Sequence, residues 1–482
     1  FSLADGMIEF LRNHAYTQPG AWSLIAYHAK RRTDWYACLE ALEHCEELGF
    51  WNPELALTRA IACEKSLQPE RALEELDKAP ELDTEGRSWV VRLLAMSQLK
   101  RYREAIDTYK PRLQAAAESG AEDRYVGNMW LTLGRMHDKL GEYEEAWQCF
   151  EYGNKVQDTV EGTDFSTNEF RRNLELDLAL YSREWFESWT PTPPAEREPV
   201  FLVGFPRSGT TLLEQMLDAH PDVDSLEEKP TIELASKDVH LLLQVQANMK
   251  SLLNRNMPWR ERSYQVWRLM ADLTEDQIRR LRERYEEVVS SFVDWDGSRT
   301  LVDKMPLNIA AMGFIRRIYP SARFIVALRH PCDCVLSAFM QGFQMNTAMA
   351  NFVDIHQAAR FYRQTMRVLW RAQDAFDLGD QMLYIRYEDV LENQERELTR
   401  VLRFMDLDWD PAVADYHEHA RNRGTLNTPS YEGVTQELYT RASGRWHRYA
   451  PWLKPVLPEL EEACRRYGYS LEIPEEAQQR VS

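Results

Sequence analysis

A helical solenoid followed by an α/β domain on a parallel sheet is the architecture this sequence predicts, on three observations. The first 160 residues hold no convincing strand and repeat a small-residue slot at Ala37, Ala72, Ala105 and Ala146. A proline-rich stretch, Thr190 to Pro199, then interrupts the pattern. From Val200 onward, short apolar runs alternate with helical segments, as in parallel strands covered on both faces.

The repeat comes first along the chain. Trp130, Leu133, Gly134, His137, Ala146 and Phe150 fall at the spacings of a tetratricopeptide unit, with His in a slot usually held by Tyr. Trp89, Ala105 and Tyr109 repeat three of these slots, Ala56, Ala60, Ala72 and Leu76 give a weaker copy, and Ala21, Ile25, Ala37 and Ala41 a fainter one. The small-residue slots are 35, 33 and 41 residues apart. The first two separations bracket a period of roughly 34, and the third leaves room for a longer helix or loop around Ala115–Asp123. Small residues belong where paired helices approach closely, and aromatic ones fill the gap between repeats. Such a stack offers a groove for a peptide or protein partner; equally, it could only stabilise the chain or join two copies in a homodimer. A helix over Ser166–Trp189 is expected to cap the array. The predicted divisions are 1–160 for the repeats, 161–198 for cap and linker, and 199–482 for the α/β domain.

In the α/β part the candidate strands are Val200–Gly204, Asp224–Glu227, Thr300–Val302, Arg323–Leu328 and Met382–Arg386. The charged, Trp-bearing segment Val239–Val293 reads as a helical insertion over the substrate side. A ligand belongs at the carboxyl ends of the strands. There the first strand meets Gly204-Phe-Pro-Arg207-Ser208-Gly209-Thr210-Thr211 and a helix start. Loop N–H groups and the positive end of the helix dipole make an anion cradle. Gly204 and Gly209 keep the glycine spacing of a nucleotide phosphate loop, but Thr210 stands where that loop has Lys, and the positive charge is Arg207. A second strand ends in Arg329-His330-Pro331, with Ser337 on the next helix; a forked guanidinium plus a hydroxyl can hold one phosphate. Two anion sites on neighbouring strands suit a nucleotide phosphorylated at both ends.

The loop Pro206-Arg207-Ser208-Gly209-Thr210-Thr211, followed by Leu217-Asp218-Ala219-His220-Pro221-Asp222-Val223, resembles the 5′-phosphosulfate loop of the sulfotransferases. It is most similar to the tyrosylprotein branch and its bacterial relatives with tetratricopeptide repeats, over about Val200 to Tyr449. The resemblance implies a P-loop-like sulfotransferase domain that moves a sulfuryl group from 3′-phosphoadenosine 5′-phosphosulfate to an acceptor hydroxyl, with no metal. It implies donor contacts from Arg207, Ser208, Gly209, Thr210 and Thr211, a 3′-phosphate site at Arg329 and Ser337, and further contacts from Tyr387, Thr435 and Arg445. Gln341 stands where relatives carry a further basic residue, which shifts weight onto Arg329. In Asp224-Ser-Leu-Glu227-Glu228-Lys229 the catalytic base maps to Glu228, with Glu227 the structural neighbour on the opposite face of the strand. Leu226 and Lys229 replace the Gly and Thr that usually flank this pair. Lys304, two residues before Pro306, maps to the lysine near the bridging oxygen, with a pair to Asp303 or a neighbouring helix end as the alternative, and Arg207 is expected to share its work on the departing phosphate. Trp446 is expected in the core, with stacking on adenine as the alternative, and His220, the base of small-molecule sulfotransferases by type, in a structural turn. The acceptor implied is a peptide or protein tyrosine; a carbohydrate or small-molecule hydroxyl is the alternative. A silent repeat scaffold is a third reading, disfavoured by the intact set Arg207, Glu228, Lys304, Arg329 and Ser337.

Composition narrows the classes. A net charge of −19 argues against a general nucleic-acid binder, so a phosphate-rich ligand needs a local basic cluster. No apolar stretch approaches the eighteen or so residues of a membrane span, and no signal peptide stands at the start. The chain begins at Phe1, not Met, so an upstream segment is expected to be trimmed or omitted. Seven cysteines at irregular spacings, with no C-x-x-C, suit buried thiols in a reducing, cytoplasmic setting; Cys332 and Cys334 lack the second pair of a zinc site.

Overall fold

The computed structural model describes residues 2–14, 17–84, 86–121, 123–161, 167–250, 252, 257–417 and 443–473. Among these, one compact unit comprises 2–161 and 339–345, and a second comprises the remainder.

The first unit is built from helices α1 (Ser2–His14), α2 (Pro19–Arg31), α3 (Trp35–Glu47), α4 (Pro53–Lys65), α5 (Pro69–Asp77), α6 (Gly86–Gln98), α7 (Tyr102–Ser119), α8 (Arg124–Leu140) and α9 (Tyr143–Glu161). Their starts follow from local chemistry. Proline opens α2, α4 and α5, where its missing N–H costs nothing. Asp34, Asn52 and Asp123 cap α3, α4 and α8 by accepting first-turn N–H bonds at 2.9–3.1 Å. Sequential helices pack together, α2 on α3, α4 on α5 and α8 on α9. Ala72, Ala105 and Ala146 are fully buried, and Ala37 is half-buried. A side chain at Gly134 would collide with the Phe150 ring, which explains the absence of a Cβ there. The long 41-residue separation is absorbed by α7, which runs 18 residues before Gly120 stops it in a left-handed conformation.

The second unit is organised by five parallel strands, β1 (Val200–Gly204), β2 (Val223–Glu227), β3 (Thr300–Lys304), β4 (Arg323–Leu328) and β5 (Met382–Arg386), in the order β2-β3-β1-β4-β5. The strand from Thr300 continues two residues beyond the sequence expectation, so Lys304 is the last strand residue, in register with both Leu202 and Glu227. β1 connects toward β2 and β4 toward β5, in opposite directions, which opens a crevice at the carboxyl ends of the central pair. Val200–Gly204 is buried throughout, as a central strand between covered faces must be.

The segment expected as one capping helix is two helices, Thr167–Leu180 and Arg183–Glu187, because Ser182 caps the second by accepting from the Trp185 N–H at 3.1 Å. Both find partners inside the second unit. Phe170 meets Phe361 edge-on, Arg171 donates to Gln364 at 2.7 Å, and the Tyr181 hydroxyl accepts from the Gly313 N–H at 3.0 Å. The expected insertion is the helices Thr231–Met249, Trp259–Arg268 and Glu275–Ser290.

Candidate functional site at the carboxyl edge of the sheet

The loop after β1 is held from below. Phe205 is buried against Phe352, Phe361 and Tyr362, and the Ser208 N–H closes a turn onto the Phe205 carbonyl at 3.1 Å. Arg207 and Gly209 take positive φ values of 73° and 97°. A Cβ on Gly209 would strike the Tyr387 ring, and one on Gly204 would strike the Ala327 carbonyl and the Ser208 hydroxyl. The helix Thr210–Asp218 starts here with buried Thr210 and Thr211 in its first turn, where N–H groups lack intrahelical acceptors. The buried Ser208 hydroxyl has no hydrogen-bond partner within the described protein, so the cradle carries an unspent polar atom for a ligand. The loop thus fits an anion in its backbone, its helix end and its hydroxyl.

The β4 side supplies the cations. Arg329, 8% exposed, donates to the Arg207 carbonyl at 3.3 Å, and its guanidinium lies 5.1 Å from the centre of the Tyr387 ring. Arg207 Nε donates to Ser337 Oγ at 3.0 Å. Four residues predicted from three motifs, Arg207, Arg329 with Ser337, and Tyr387, are therefore brought together at the ends of β1, β4 and β5. The Arg207 side chain turns toward Ser337, so it joins the two expected phosphate motifs directly.

The β2–β3 side holds the carboxylates. Lys304 is fully buried, and its Nζ stands 3.0 Å from Glu228 Oε1 and 3.8 Å from Glu227 Oε1. The expectation that Glu227 and Glu228 face opposite ways fails. Glu228 has left the strand with φ +49°, and its N–H donates to the Lys304 carbonyl at 2.8 Å, so the chain bends both carboxylates onto one ammonium. β2 is tied to the helix Thr210–Asp218, because the Ser225 hydroxyl bonds to Glu214 and to Asp218.

Thr435 lies outside the described residues. Arg445 begins a short 3-10 turn, half-buried, between Gly444 and Trp446. The N–H groups of Gly444 and Trp446 both donate to Asp333 at 2.8 Å, and Asp333 also faces the Arg329 guanidinium at 4.0 Å. One buried carboxylate thus connects the Arg445 turn to the Arg329 site. Trp446 is wholly buried and stacks on His330, a core position. His220 Nδ1 accepts from the Asp222 N–H at 3.1 Å and Nε2 bonds to the Asp408 carbonyl at 3.0 Å, which occupies both ring nitrogens in a turn. All seven cysteines are buried and unbridged; burial pushes the Cys334 thiol far up, so it is inert.

Sequence reasoning gave no role to Asp333 or Glu388 and named Asp303 only as an alternative partner of Lys304. Asp333, in the first turn of a helix, looks like an ordinary dipole partner. Glu388 fixes the Arg329–His330 corner by accepting from the His330 N–H at 3.0 Å and the Tyr469 hydroxyl at 2.7 Å. Asp303 lies buried beside Lys304 and accepts from Thr231 at 2.5 Å and Tyr285 at 2.8 Å, tying the segment after Glu228 to β3. Neither spacing nor composition signals these; an Asp inside an apolar strand, Leu301-Val-Asp303, was the only available cue.

Burial pushes the Asp303 carboxyl up to about 6 from 3.8, against the lowering effect of its two hydroxyl donors. A carboxyl raised in the folded state contributes stability that is complete below about 3.8 and is lost as pH rises through about 6. Asp303→Asn is therefore expected to gain on the wild type by on the order of 3 kcal/mol between pH 4 and 7. Denaturant midpoints measured across that range check it; a constant difference between the two proteins would contradict the shift.

Residues 199–411 match the model of the sulfotransferase family. An uncharacterized protein of Aquifex aeolicus is 23% identical over 406 residues, covering 83% of this chain and 50% of that protein. A putative protein-tyrosine sulfotransferase of Caenorhabditis briggsae is 25% identical over 260 residues, 51% of this chain and 80% of that one. Among solved structures, the sulfotransferase domain from the curacin biosynthetic pathway is similar at 16% identity, with a TM-score of 0.38 over 58% of this chain and all of that domain. The chain thus spans half the length of the Aquifex relative.

Proposed function

We propose that the second unit transfers a sulfuryl group from 3′-phosphoadenosine 5′-phosphosulfate to a hydroxyl, with tyrosine of a peptide or protein as the acceptor. The observation that carries this reading is the convergence of Arg207, Ser337, Arg329 and Tyr387 on one crevice whose neighbouring strands end in Lys304 and the Glu227–Glu228 pair. In this scheme the loop and its helix end hold the 5′-phosphosulfate, and Arg329 with Ser337 holds the 3′-phosphate. The acceptor oxygen attacks sulfur, the bond from sulfur to the bridging oxygen breaks, and the acceptor proton passes to Glu228. Tyrosine's hydroxyl has a reference pKa near 10, so a positioned carboxylate is needed as the new bond forms. In this scheme Lys304 would supply positive charge as negative charge grows on the departing phosphate.

Sulfuryl transfer is supported by the family match, and the tyrosine acceptor by the name of the nematode relative alone. We read the helical first unit as a tetratricopeptide array that recognises a macromolecular acceptor. The test is incubation with sulfur-labelled donor and a panel of tyrosine peptides, glycans and small phenols. Label on tyrosine peptides in preference to free phenols is expected. Label confined to glycans would assign a carbohydrate acceptor, and nucleotide binding without any transfer would mark a silent scaffold.

A further inference from the structure

The bend after β2 gives the site a second carboxylate that the proposed chemistry does not yet use. Glu227 is the last residue of β2, 4% exposed, and is the register partner of Lys304 on β3. Glu228, one residue on, is partly open to solvent, and it contacts the same lysine through its side chain and its N–H. A non-glycine residue at positive φ is disfavoured, so the local chain holds this bend against its own preference. The result is one fully buried ammonium between a deep carboxylate and a shallow one.

We propose that Glu227 is a positioning residue that shares Lys304 with Glu228 and keeps the ammonium paired and aimed when Glu228 takes up the acceptor proton. The role rests on the reading of Glu228 as base given above. During transfer the acceptor O–H proton moves to Glu228, which becomes neutral. With Glu228 as its one partner, Lys304 would then be a buried charge with no counter-ion, a strongly unfavourable state, and it would be free to swing out of line. Glu227 removes that problem because it is too deep to meet the acceptor and remains the counter-charge throughout. The shallow carboxylate can then exchange protons while the deep one fixes the geometry.

Two measurements test this. The first uses the full chain without donor. Glu227→Gln with Glu228→Gln leaves Lys304 without either carboxylate, and the melting transition of the second unit is expected to fall by roughly 6–12 °C. Adding Lys304→Met should recover most of that loss, because the stranded charge is gone. No recovery would mean that Glu227 serves packing alone and would overturn the proposal. If the double variant does not fold, Glu227→Gln alone, with and without Lys304→Met, decides by the same criterion. The second measurement is turnover. Glu227→Gln is expected to lower kcat about tenfold with the acceptor KM within twofold, and to change nothing further in a Lys304→Met background. An equal fall in that background would show that Glu227 acts independently of Lys304. If the wild type transfers no sulfuryl group to any acceptor, the proposed activity fails, while the melting comparison still decides whether the two carboxylates share the lysine.

Discussion

Glu228→Gln is expected to slow transfer to a phenolic acceptor by about 10²–10⁴, the range for a positioned base. The substitution keeps the volume and removes the basicity. The Lys304 ammonium retains Glu227 at 3.8 Å, and the Arg329–Ser337–Arg207 cluster is carried by the segments after β1 and β4 rather than by β2 and β3. Affinity for 3′-phosphoadenosine 5′-phosphate, measured by calorimetry, should therefore stay within about threefold, since little charge facing the nucleotide has changed. A normal rate in Glu228→Gln would remove it from the base's role. His220, the other candidate by residue type, is a poor substitute because both its ring nitrogens are bonded to backbone groups.

Arg329→Ala is expected to weaken the same nucleotide by about 10- to 150-fold, the equivalent of losing a charge-assisted bond to phosphate. The side chain does three things that alanine cannot. It offers a buried guanidinium, it ties down the Arg207 carbonyl, and it faces the Tyr387 ring that covers Gly209. Loss of the second and third should loosen the phosphate loop, so Arg329→Lys, which keeps the charge but loses the fork, should fall between wild type and Arg329→Ala. Unchanged calorimetric affinity in Arg329→Ala would sink the assignment of a phosphate to this corner. A melting curve distinguishes weaker binding from an unfolded protein.

The pairing of β2 with β3 shows why part of this site escaped the sequence. Apolar runs leading to Gly204 and Arg329 declared their strands and their order along the chain, because a buried strand and a glycine loop each leave a local pattern. The side-chain alternation of a strand was extended one residue too far at Glu228, and a left-handed bend that no residue type announced reversed the conclusion. Asp333 and Glu388 were equally silent, and Asp303 nearly so, since each looks like an ordinary helix-start or strand residue until its partner arrives from far along the chain.

The sequence by itself determined the parallel sheet and the identity of the cationic residues at its edge. These properties depend on periodicity and on short motifs read within a few residues. Only the tertiary structure decided that Arg207 spans to Ser337 across 130 positions, that Asp333 anchors the Arg445 turn, and that Glu227 and Glu228 converge on one buried lysine. Those choices are made by strand register and chain reversal, which bring distant charges together at or within the buried interior, where a buried charge must find a partner or cost the fold its stability.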